Sequence, residues 1–125
     1  MISLKNVLLV NGVSSGATGL LILTFANMAA SLFGVNGPAA FLAVGIFLIV
    51  FAVLVINEGL KTNPRAHRVQ LIIVLDVLWV TGSIAIVVLQ LLGLSVLGYF
   101  AIAIVGAWVG LMAFLQIKGL KSIVA

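Results

Sequence analysis

Lys61-Thr62-Asn63-Pro64-Arg65-Ala66-His67-Arg68 is a short basic segment set between two long apolar runs. It holds three of the chain's six Lys and Arg residues; Lys5 stands near one end, Lys118 and Lys121 near the other. Working outward from it, apolar stretches cover about 4–27, 39–57, 65–92 and 96–118. A bilayer core about 30 Å thick is crossed by a helix of about 20 apolar residues, so each stretch is long enough for one crossing. Basic side chains are held on the cytoplasmic side of a membrane. Four spans that start and finish there gather all three basic clusters on one side and leave both outer loops uncharged. The expected fold is an all-α, four-transmembrane-helix up-down bundle, with 1–125 a single integral membrane domain and both termini cytoplasmic. Short connections favour antiparallel neighbours in such a bundle.

Composition points the same way. The chain is 65% hydrophobic and 6% charged, against roughly 25% charged residues in a soluble domain. Its net charge of +4 and pI near 10.2 fit topology and attraction to anionic inner-leaflet lipid. They do not fit nucleic acid, because the basic residues are few and have no aromatic platform beside them. The expected partner is membrane lipid, with a homo-oligomer or a larger membrane-protein partner open and no nucleic acid. The absence of Cys excludes disulfides, thiol redox relays and thiolate metal sites. Membrane haem needs a His inside a span, whereas the one His, His67, lies in the loop or at a helix start. No span contains a Lys for a retinal Schiff base. No cofactor and no metal are expected. The apolar run 7–30 exceeds the roughly 7–15 residues of a signal-peptide core, so it reads as a retained helix.

Local signals place the breaks. Gly34, Asn36, Gly37 and Pro38 mark a loop over 31–38, with Pro38 an early residue of the second helix. Leu32, Phe33 and Val35 make this loop apolar enough to lie at the interface. Asn63 reads as an N-cap and Pro64 as a first helical residue, starting the third helix near Arg65. A turn at Gly93-Leu94-Ser95 leads into the fourth. The halves show no repeat in polar positions or glycines, which leaves an inverted-repeat transporter unsupported.

Asp76 is the residue that most needs explaining. It lies eight residues past Arg68, about 12 Å of helix rise, with apolar flanks. A carboxylate inside a span costs about 2.5–3.5 kcal/mol on insertion scales. Trp79, Ser83 and Gln90 follow it at three, seven and fourteen residues, on one helical face. On the first helix, Asn11, Ser15 and Thr18 recur at helical spacing, with Ser14 adjacent. Asn11 stands six residues past Lys5, at a depth similar to Asp76. The expected internal polar site is therefore Asp76, Asn11, Ser15, Trp79 and Ser83, with the Asn11 amide, a Ser hydroxyl or the Trp79 indole N–H as donors. Arg68 reaches part of the way. Asp76 is either a protonatable site in a proton-coupled pathway or a carboxyl hydrogen-bonded to helix one that fixes register.

Gly12, Gly16 and Gly19 on the first helix, and Gly106 and Gly110 on the fourth, are small-residue patterns that let helices approach closely. They read as packing within the bundle, with homo-oligomerisation as the alternative. Asn57-Glu58 and Gln116-Ile117-Lys118 read as helix ends in the headgroup layer, with a polar vestibule below Asp76 as the other possibility. Trp108 reads as core packing or lipid contact.

The run Asp76-Val77-Leu78-Trp79-Val80-Thr81-Gly82-Ser83, with Asn11-Gly12 opening the first helix, resembles small bacterial four-helix integral membrane proteins of unassigned function. The resemblance covers the whole chain and implies a bacterial inner-membrane location. Small multidrug transporters carry a Glu in the middle of helix one, where this chain has Ser, Thr and Gly. Small fluoride channels have different Asn, Arg and Phe signatures. The functional expectation is a non-enzymatic membrane protein acting through helix packing, as homo-oligomer, accessory subunit or binder of lipid-like molecules. The alternative is a small proton-linked transporter or channel using Asp76. No catalytic residue is expected, since one carboxylate without a nearby His, Cys, Lys or second acid makes no acid–base pair or nucleophile.

Overall fold

The computed structural model describes residues 3–124, with side chains through residue 121. In chain order it contains α1 (Leu4–Thr24), α2 (Ala26–Phe33), α3 (Ala39–Gly59), α4 (Ala66–Val88), a 3-10 turn (Leu91–Gly93) and α5 (Val96–Val124). The architecture is all-helical. Four helices are long and apolar enough to cross a membrane: α1, α3, α4 and α5 over Val96–Lys121.

The first span differs from expectation at its far end. Ser3 caps α1, its side chain accepting the Asn6 N–H at 3.2 Å, which satisfies one of the orphan donors of a helix start. Phe25 (φ −114°, ψ 32°) leaves helical geometry. The ladder nevertheless continues through it: Phe25 N–H donates to Leu21 O at 2.9 Å and Ala29 N–H to Phe25 O at 2.8 Å. The result is a bend, and the chain runs on as α2. Residues 31–33, expected in a loop, are helical. Gly34 (φ 76°) then stops the helix, with Val35 N–H bonded to Ala30 O and Gly34 N–H to Ser31 O. This pair of bonds is a Schellman motif, and its left-handed residue favours glycine. Pro38 directly precedes α3 and accepts the Leu42 N–H at 2.9 Å.

Two further boundaries move. Asn63 and Pro64 stay outside α4, and Arg65 occupies the cap in an extended conformation without a side-chain cap bond. Proline disfavours the α region for the residue before it, and Glu58 holds Arg65 from the other side, its Oε2 accepting the backbone N–H at 2.6 Å. At its other end α4 stops at Val88 rather than near 92. Gln90 (φ 50°), Leu92 (φ 71°) and Gly93 (φ 57°) are left-handed, which reverses the chain over a few residues. Each non-glycine left-handed residue costs about 1–2 kcal/mol. Tyr99 offsets this by bracing the turn: its hydroxyl accepts the Leu94 N–H at 3.1 Å and donates to Leu91 O at 2.9 Å. Gln90, expected on the polar face with Asp76, therefore lies outside the helix. The fourth span also runs on past 118, as α5.

The helices associate as two tight pairs, α1 with α3 and α4 with α5; α1 and α5 join the pairs, and α3 and α4 meet only sparsely. Toward the end that carries the basic residues the interior is dense, with Leu4, Leu8, Phe51, Val55, Val69 and Ile72 forming the buried core. At the other end Ser95 ties the two loops together. Its N–H donates to Phe33 O at 2.9 Å and its hydroxyl to Leu32 O at 2.6 Å.

The glycines explain the α1–α3 approach. A Cβ on Gly12 would collide with Ile56, one on Gly16 would sit 3.3 Å from the Ala52 Cβ, and one on Gly19 3.0 Å from Gly45 O. On α5, a Cβ on Gly106 would lie 3.2 Å from the Ser83 Cβ, whereas Gly110 has its nearest neighbour, Val80, at 3.8 Å. Both small-residue patterns thus face neighbouring helices of the same chain.

Candidate functional site: a carboxylate held by two amides

Three helices each contribute one polar side chain to a single cluster. Asn11 follows Val7 and Leu8 on the buried face of α1, Asp76 follows Val69 and Ile72 on α4, and Gln116 follows Met112 and Ala113 on α5. In each case the spacing of three, four or seven residues keeps the polar group on its helix's interior stripe. All three are buried, at 1%, 3% and 0% exposure. They lie six, eight and two residues from Lys5, Arg68 and Lys118, just inside the layer of basic side chains.

The bonding is closed and consistent in donor sense. Gln116 Nε2 donates to Asp76 Oδ2 at 2.7 Å. Asn11 Nδ2 donates to the same oxygen at 3.1 Å and to Gln116 Oε1 at 2.9 Å. Ser15 Oγ donates to Asn11 Oδ1 at 3.4 Å. Both neighbours offer N–H to the same oxygen of Asp76, Oδ2, the donor sense that a carboxyl acceptor needs. Hydrogen bonds to a charged group contribute about 1.5–3 kcal/mol each, so two of them offset the cost of about 2.5–3.5 kcal/mol for placing the charge in a span.

Asp76, Asn11 and Ser15 come together; Trp79 and Ser83 do not bond to them. Trp79 stacks on Phe47 of α3, with ring centroids 6.1 Å apart and planes 8° from parallel. Ser83 packs against Gly106, farther along α4. The indole that does donate is Trp108, to Ser14 Oγ at 3.1 Å, from a partly exposed position on α5. Ser14 and Thr18 spend their hydroxyls on α1 itself, donating to Asn11 O and Ser14 O, the local back-bonding common for Ser and Thr in helices.

Two helix-end expectations need correction. Gln116, read as a helix end, is a full member of the cluster; its place three and four residues after Ala113 and Met112, on an apolar stripe, was the available signal. Glu58 is likewise fully buried, because Arg65 meets it with guanidinium Nη2 to Oε1 at 3.0 Å in addition to the backbone bond. Among the described residues no basic side chain pairs with Asp76, so Arg68 does not serve it.

The second oxygen, Asp76 Oδ1, accepts no hydrogen bond from any described residue. No fully buried side-chain oxygen or nitrogen among the described residues lacks a partner, so Oδ1 borders open space. That space is a small cavity of about 20 Å³ lined by Ser15, Phe47, Phe51, Asp76 and Trp79 among others, enough for one water-sized group. Leu48 and Trp79 also line a second cavity, of about 550 Å³. The larger cavity lies in the half of the bundle away from the basic residues, among α1, α3, α4 and α5. Its lining, including Phe33, Phe41, Val44, Leu78 and Ile102, is almost entirely apolar.

No protein-family model, curated protein or solved structure matches the chain.

Proposed function

We propose that the chain is a non-enzymatic integral membrane protein that binds a lipid-like molecule between its helices. The observation that carries this reading is the apolar cavity of about 550 Å³ among the helices. Its size falls in the roughly 300–1,000 Å³ range of ligand pockets, and apolar walls with a few convergent polar groups are their usual make-up. An empty space of that size forfeits the dispersion contacts of its lining, so an apolar occupant stabilises the bundle. Because α3 and α4 meet only sparsely, the surrounding bilayer is the nearest source of that occupant. The basic residues grouped at one end support an orientation with both termini cytoplasmic. The resemblance of the 76–83 run and Asn11-Gly12 supports a bacterial inner membrane.

Gly82 supplies the test. It lines the cavity, and a Cβ there would meet no atom within 4 Å. Native mass spectrometry of gently extracted protein is expected to show a bound lipid-like mass that Gly82→Phe displaces. Wild-type protein that carries no such mass, or a mass indifferent to Gly82→Phe, would refute the reading. A defined homo-oligomer or a co-purifying subunit without bound lipid would point instead to assembly.

One observation favours a second reading, a small proton-linked transporter: Asp76 Oδ1 borders a cavity able to hold a water. On that reading Asp76→Asn abolishes pH-dependent flux in liposomes while the fold persists; unchanged flux removes it.

A further inference from the structure

We infer that the occupant is a single-chain amphiphile with a primary ammonium head, its chain in the large cavity and its head on Asp76 Oδ1. The inference rests on the lipid-binding reading above and adds the class of ligand. Three features of the small cavity select the head group. Asp76 Oδ1, on a side chain only 3% exposed, has no hydrogen-bond partner among the described residues, which calls for a hydrogen-bond donor. Nothing cationic in the described chain answers it, although a carboxylate's strongest complement is an ionised donor. Phe47, Phe51 and Trp79, stacked on one another, line the same space, and aromatic rings are favourable company for a cation.

Size narrows the choice further. A space of about 20 Å³ admits a group the size of one water. A primary ammonium is of that size, whereas a trimethylammonium is several times larger. The chain then has one place to go. Leu48 and Trp79 line both spaces, so a molecule with its head at Oδ1 that runs past them lays its tail along Val44, Leu78 and Ile102. Ser15 lines the head-group space too, and its hydroxyl oxygen is free to accept a second ammonium proton while donating to Asn11.

Tryptophan quenching reads both spaces. The chain has two Trp, so Trp108→Phe leaves Trp79, which lines both cavities, as the sole reporter. Trp79→Phe leaves Trp108, partly exposed on α5, as a control that senses probe dissolved in the bilayer. In phosphatidylcholine vesicles, three probes with the same brominated chain would be titrated: a primary amine, the alcohol and the trimethylammonium. After correction for the quenching of Trp108, the amine is expected to quench Trp79 at about tenfold lower concentration than either of the others, the ratio a charge-assisted hydrogen bond supplies. Asp76→Asn in the Trp108→Phe background is expected to erase that advantage. Equal potency of amine and alcohol overturns the inference, and this comparison needs no Asp76 variant to fold. An amine advantage that survives Asp76→Asn overturns it as well. If all three probes quench Trp79 alike and Gly82→Phe abolishes the effect, the cavity reading stands without the head-group site. If none quenches Trp79 more than Trp108, both fall.

Discussion

Asp76 is tolerated inside a span because two uncharged amides meet one of its oxygens and none of its neighbours repels it. Replacing Gln116 removes the shorter of the two bonds and a partner of Asn11. Gln116→Leu is therefore expected to lower stability by about 1–3 kcal/mol, the cost of leaving buried polar groups unpaired, measured by thermal unfolding in detergent. Asp76→Asn preserves shape and retains an acceptor, so it is expected to be milder than Asp76→Leu. An Asp76→Leu protein as stable as wild type would show that the cluster contributes nothing to the fold. Glu58 is the other buried acid, and its work is local. Its carboxylate holds both the backbone N–H and the guanidinium of Arg65, pinning the α3–α4 loop. Glu58→Ala is expected to speed hydrogen exchange at the Arg65 amide while leaving the Asn11 and Gln116 side-chain signals in place. Unchanged exchange at Arg65 would mean that the loop holds itself.

Among the elements, glycine position decides which helix contacts tolerate a side chain. Gly12→Ala forces Ile56 to move, with the Ile56 backbone N also only 3.2 Å from the new methyl, so it is expected to destabilise by about 1–3 kcal/mol, as overpacking does. Gly82→Ala meets open space and is expected to stabilise by about 0.5–1 kcal/mol, the ordinary gain of Ala over Gly in a helix. Equal melting temperatures for the two variants would show that α1 and α3 are not in close contact. The four spans were legible from the sequence because each is an uninterrupted apolar run bounded by charges, Gly or Pro. The bend at Phe25 was not, since neither proline nor glycine marks it; the reversal was read at Gly93-Leu94-Ser95, three residues after it begins at Gln90, where no glycine stands. Tyr99, nine residues beyond Gln90, does the bracing. The site was half legible. Asn11 and Asp76 stood out as polar residues in apolar surroundings at matching depth. Gln116 was obscured by Lys118 two residues later, which gives it the look of a helix end.

The whole molecule is asymmetric along the helix axes. At the basic end, leucine, valine and isoleucine close the interior around the Asp76 cluster; at the other end the same four helices leave about 550 Å³ between them. No single stretch of sequence encodes that cavity. It arises because glycines draw α1 onto α3 while α4 packs on α5, leaving the α3–α4 side loosely joined. The asymmetry gives the orientation a consequence. With the basic end in the cytoplasm, the amide-held carboxylate lies in the inner half of the bilayer and the cavity in the outer half, so an amphiphile bound as proposed carries its head inward. The chain has no native Cys, and Thr62 and Asn36 are exposed on opposite loops, so single cysteines at these positions report the orientation cleanly. A membrane-impermeant maleimide applied to intact cells is expected to label Asn36→Cys and to reach Thr62→Cys only after the membrane is opened. The reverse pattern would place the cavity in the inner leaflet and reverse the direction in which the bound head points. Labelling of both positions in intact cells would mean that the chain inserts both ways, and the basic clusters would then set no orientation.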